Sequence, residues 1–175
     1  MWERELAGRL SQAEATINRT AGRLRPPTNA HDLTRAVQLG HPHWLIDERR
    51  RLRVALVACG GAPVTERLVE EVRRFCAAFP GVEMCDGRGG PRIHRRAEGG
   101  KRDPGALDSL VIQGRRDLHC DLVVVVTDGS WGWPTGPGGE VTLAVGKDVG
   151  IPLGWGQDVI RVGGRDGVVE TDRGL

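Results

Sequence analysis

Two acidic side chains stand where they could do chemistry. Asp128 ends the apolar run 121–127 (DLVVVVT) and is followed by Gly129-Ser130. Glu140 comes directly after Gly138-Gly139, and the spacing beyond it predicts a short helix over 140–147. A carboxylate in the first turn of a helix feels the positive field of unpaired N–H groups and stays ionised. Such a group can attack an electron-poor carbon. A second carboxylate nearby can hydrogen-bond the leaving group or protonate it as it departs. The simpler alternative gives both residues local work, Glu140 capping its helix and Asp128 a turn.

A third feature is the turn Cys59-Gly60-Gly61, which closes the apolar run 52–58 (LRVALVA). It resembles a phosphate-binding turn but carries neither GxGxxG nor GxxxxGK[ST]. Dinucleotide binding and P-loop chemistry are therefore not indicated. Trp131 and Trp133 lie between the two carboxylates, where an indole could stack on a flat ligand or close the pocket.

These groups need a scaffold, and the hydropathy pattern supplies one. Runs 52–58, 82–85, 121–127, 151–153 and 159–162 read as strands. Helical spacing covers 64–79, before Pro80-Gly81, and 106–118. Strands alternating with helices predict an α/β domain with an open, mostly parallel sheet and helices on both faces. The run DLVVVVT is apolar on both faces, as a central parallel strand should be. In such a sheet ligands bind beyond the carboxyl ends of the strands. All three candidate clusters fall there on this reading.

The first fifty residues read differently. Trp2, Leu6, Leu10, Ala13, Ile17, Ala21 and Leu24 trace one stripe of a helix that Arg25-Pro26-Pro27 stops. That stripe could pack on its own domain, on a second copy or on a partner protein. A second helix over 33–39 could be capped by Asn29 or Asp32 and ended by Gly40. The expected division is therefore 1–50, an N-terminal helical segment with a charged connector, and 51–175, the α/β domain. Residues 86–105, rich in Gly, Arg and Pro, read as a surface loop that could fold over an anion.

Composition narrows the function classes. The chain has 175 residues, 27% of them charged, with a net charge of only +2. A strongly basic nucleic-acid binder is not indicated. No apolar run approaches the roughly 18–20 residues that a membrane-spanning helix needs, and no signal-peptide core stands at the start, so a cytoplasmic protein is expected. Cys59, Cys76, Cys85 and Cys120 form no CxxC pair and read as small buried thiols. No metal site and no cofactor are implied.

The segment 121–152 resembles the nucleoside 2-deoxyribosyltransferase family and its nucleotide N-glycosidase relatives. The matching positions are Asp121, Asp128-Gly129, Gly138-Gly139-Glu140, Ala144 and Pro152. A weaker likeness reaches 54–63. The resemblance implies a flavodoxin-like fold and cleavage or transfer of the N-glycosidic bond of a nucleoside or nucleotide. Glu140 would be the nucleophile and Asp128 its acid/base partner. Cys59, Gly60, Gly61, Gly129, Ser130, Trp131, Trp133, Gly138 and Gly139 would line the substrate. The alternative of a different class is a non-catalytic nucleotide-sensing or regulatory module on the same fold, with the N-terminal helix coupling it to a partner or to a second copy. A phosphoribohydrolase-like reading of Pro137-Gly138-Gly139 ranks lower, because Glu140 follows the glycines at once.

Overall fold

Stiff β-branched side chains lose little on entering a pleated strand, and this chain concentrates them in the centre of its sheet. In the computed structural model the described residues are 1–41, 43–61, 64–85, 92–95, 119–130, 140–146 and 159–162. Strand β3 (Leu52–Gly60) and strand β6 (Leu122–Thr127) run side by side in parallel, with Val54 opposite Leu122 and Cys59 opposite Thr127. Strand β7 (Glu140–Val145) pairs in parallel with β6, and β8 (Val159–Val162) with β7. On the other side of β3 lies β4 (Val82–Met84), parallel to Leu52–Val54. The upper part of that same edge is taken by β5 (Arg92–Arg95), parallel to Val57–Gly60.

Setting β5 aside and counting β3, β4, β6, β7 and β8 as they arrive, the spatial order is second, first, third, fourth, fifth. That is the flavodoxin-like order, with its topological switch point between β3 and β6. The expected α/β fold with an open parallel sheet is therefore present.

One face of the sheet packs against two helices. Helix α1 (Trp2–Ile17) lays Leu6 and Leu10, both fully buried, against β3 and β8. Helix α3 (Glu66–Ala78) adds Val69, Val72 and Cys76, and the Thr65 side chain caps it by accepting from the Leu68 N–H. Trp2 meets Phe75 edge-on at 5.6 Å, joining the two helices. The opposite face of the sheet, with Val57, Cys59, Val123 and Val125, is equally buried.

The N-terminal segment departs from its expected outline in two ways. The stripe predicts a helix to Leu24, whereas α1 ends at Ile17. Asn18 intervenes: its amide donates to the Arg50 carbonyl and accepts from the Arg50 N–H, which ties the chain down before another turn can form. Leu24–Arg25 is strand β1, antiparallel to β2 (Leu45–Ile46). Moreover, Leu6 and Leu10 sit inside the sheet's own core, so the boundary at residue 50 does not divide the hydrophobic interior. Helix α2 (Ala30–Gln38) begins at Asn29, whose side chain accepts from the Asp32 N–H. Arg25 binds both Asp32 and Asp47 at 2.6 Å, fixing α2 to the β1–β2 ribbon.

Two further expectations are corrected. Residues 92–95, read as loop, form β5, whose four residues between glycine-rich flanks are too short to register as a periodic run. Residues 140–147, read as helix, contain strand β7. In Val141-Thr142-Leu143-Ala144-Val145 every side chain is buried, which a strand covered on both faces achieves and a single helical stripe does not. Three of the five are β-branched, which favours the same outcome. The predicted helix 106–118 and strand 151–153 lie outside the described residues.

Burying Leu6 and Leu10 in the shared core has a measurable consequence. Leu6→Ala should destabilise the chain by about 2–5 kcal/mol, the usual range for a buried leucine truncated to alanine. Urea unfolding followed by circular dichroism should show one transition moved to lower denaturant, not the loss of a separate N-terminal step.

Candidate functional site at the switch point

The carboxyl ends of β3 and β6 meet at one side chain. Asp128, immediately after β6, accepts from the Gly61 N–H at 2.7 Å through Oδ2 and from the Ser130 N–H at 2.9 Å through Oδ1. One residue earlier, the buried Thr127 hydroxyl accepts from the Gly129 N–H at 3.0 Å. Thr127 and Asp128 thus fold the strand end into two overlapping side-chain turns. Gly129 sits at φ 74°, in the left-handed region that glycine enters without strain.

Gly60 is required by the same arrangement. A Cβ there would come within 2.6 Å of Val64 Cγ2 and 2.9 Å of both Cγ and Oδ1 of Asp128. The glycine turn, whose sequence suggests close approach of a ligand, is approached first by the chain's own carboxylate.

Burial pushes the Asp128 carboxyl up, but hydrogen bonds from Ser130 and from the Gly61 N–H outweigh it. The group is held below the ordinary carboxylate value. It is therefore ionised at neutral pH, an acceptor with no proton to give. A carboxylate offers about four lone-pair positions; the Gly61 and Ser130 N–H groups occupy two, and the Ser130 side chain and the Asp128 N–H also bear on it. Cys59 lies beneath it, fully buried. Its thiol is pushed up to about 12 by burial and by the Asp128 charge. It is a packed thiol of the sheet interior, as the sequence reading of small buried thiols has it, and its side chain has no exposed surface.

The structure brings Gly60, Gly61, Asp128, Gly129 and Ser130 together at the switch point. It does not bring Glu140 to them. Glu140 opens β7 opposite Val123, near the amino end of β6. Asp128 lies five residues further along, roughly 16 Å at the usual rise of a parallel strand. The predicted positioning of Glu140 by a helix dipole falls with the helix itself. The amino end of the sheet also carries Asp121, held by Arg50 at 2.9 Å and by the Arg53 N–H at 3.0 Å. Trp131, Trp133, Gly138 and Gly139 lie outside the described residues.

One contributor is not singled out by the sequence reading. Thr127 sits inside an apolar run where its hydroxyl looks incidental; the signal was its place directly before Asp-Gly.

Among the described residues, no group of three or more His, Cys, Asp or Glu side chains could hold a metal ion. No helix among them is long and apolar enough to cross a membrane. No family model, curated protein or solved structure matches this chain.

The clasp sets two expectations. Gly60→Ala should destabilise the fold by about 1–3 kcal/mol, the range for an overpacked interior, as read from thermal or urea unfolding. The Asp128 contribution should depend on pH in a defined direction. Its folded-state value is lowered, so its stabilisation is fully present above the unfolded carboxylate value, about pH 4. It is lost as pH falls from there through the folded value. Wild type should therefore exceed Asp128→Asn in stability at pH 7, and the gap should narrow in urea titrations below about pH 4.

Proposed function

We propose that this chain is a nucleoside-binding α/β module that holds its ligand at the switch point between β3 and β6 without cleaving it. The ligand class rests on the resemblance of 121–152 to nucleoside-processing enzymes. The ligand's place rests on the convergence of Gly60-Gly61 and Asp128-Gly129-Ser130 at the crevice where open parallel sheets receive ligands. Asp128, ionised and half-buried, offers an acceptor suited to a sugar hydroxyl or a base N–H.

The observation that carries the binding reading over cleavage is the register of β7. Glycosyl transfer through a carboxylate needs the nucleophile and the leaving-group acid on either side of one sugar, roughly 5–10 Å apart. Glu140 and Asp128 are at opposite ends of the sheet. Asp128 is moreover ionised, which deprives a departing base of its proton donor.

Calorimetric titration with a panel of nucleosides and 5′-monophosphates, beside chromatographic detection of free base, tests the reading. At least one nucleoside should bind and no base should be released. Asp128→Asn should weaken that binding about tenfold, as expected for losing a hydrogen bond to a charged acceptor. Glu140→Gln should leave it unchanged. Base release that disappears in Glu140→Gln would restore the N-glycosidase reading, and absence of binding by every nucleoside would overturn the binding one.

A further inference from the structure

In open α/β sheets the glycine turn after the first strand commonly receives a phosphate, because its backbone N–H groups point at an anion. In this chain that position is taken. The Gly61 N–H, from the end of β3, and the Ser130 N–H, from beyond β6, converge on the two oxygens of one carboxylate at 2.7 and 2.9 Å. Two donors from two strands meeting a two-oxygen anion is the geometry that a phosphate or carboxylate ligand would otherwise satisfy. Gly60 keeps the space clear for it, since a Cβ would stand 2.9 Å from the carboxylate carbon.

We propose that Asp128 is the chain's built-in occupant of this anion-receiving position, so that the switch point selects a phosphate-free ligand presenting hydroxyl or amino hydrogens. A phosphate entering the turn would find both N–H groups engaged and a like charge in their place. A neutral sugar or base edge finds an acceptor. The choice of nucleoside over nucleotide rests on the binding reading given above. The anion-blocking role of Asp128 does not, because it can be examined with inorganic phosphate alone.

The experiment follows backbone amide shifts by heteronuclear NMR while inorganic phosphate is added to the full chain. In wild type the Gly61 and Ser130 amides should not respond up to tens of millimolar. In Asp128→Ser, which vacates the position, both should shift saturably, with affinity at least tenfold above any wild-type response. Should Asp128→Ser fail to fold, Asp128→Asn keeps the side-chain shape while removing the charge. It should show the same two amides responding, more weakly. Equal responses in wild type and variants overturn the proposal, as does silence of both amides in a folded variant. In the nucleoside panel, wild type should prefer a nucleoside to its 5′-monophosphate by at least tenfold. The reverse preference also overturns the proposal. If no nucleoside binds, the functional reading fails and the phosphate titrations still decide the role of Asp128.

Discussion

The pairing of one carboxylate with two backbone N–H groups fixes how the carboxyl ends of β3 and β6 meet. Parallel strands have no hairpin to hold their ends together, and their connections run over the faces of the sheet. The Asp128 oxygens supply a non-local tie between residues 61 and 128 at the point where the strand order reverses. Gly60, Thr127 and Gly129 are all accommodated to it: one for want of a Cβ, one through its hydroxyl and one through a positive φ. A charged acceptor is the effective choice, because a hydrogen bond to an ionised group contributes about 1.5–3 kcal/mol against roughly 1 for a neutral pair.

The site and the core share components. Val64, which a Cβ at Gly60 would strike, belongs to the same cluster as Leu6, Leu10 and the inner face of the sheet. The position of α3, and with it Thr65 and the turn leading from Gly61, depends on apolar packing that reaches to α1 through Trp2 and Phe75. Of the N-terminal stripe, Leu6 and Leu10 lie inside the chain's own interior, whereas Leu24 is exposed. Outside that interior, Leu33 and Val37 of α2, Ile46 of the ribbon and Trp44 beside it are more than half exposed.

Much of this architecture was legible in the residues. Strands β3, β6 and β8 announce themselves as apolar or β-branched runs, and α3 by its spacing, although its Thr65 cap emerges only in the structure. Of the two caps the sequence offers for α2, Asn29 and Asp32, the structure uses Asn29. The failures have physical causes. The stripe through Leu24 continues in helical register, but Asn18 bonds to Arg50, thirty-two residues away, and local spacing carries no trace of that. The segment Val141–Val145 has apolar residues compatible with both periods, and only burial on both faces decides between them. At the site, Asp128 and the two glycines were readable because turn chemistry is local. The separation of Glu140 from Asp128 was not, because strand register is a property of the assembled sheet.

The seating of α1 across β3 and β8 makes Leu6 and Leu10 wait for residues that follow them at great distance along the chain. As the chain leaves the ribosome, Leu6 and Leu10 emerge well before residues 159–162 exist to shelter them. Closing such distant contacts is intrinsically slow, and nascent apolar surface invites self-association or chaperone capture in the interval. Helix α1 therefore has its full complement of neighbours only after β8 has been made.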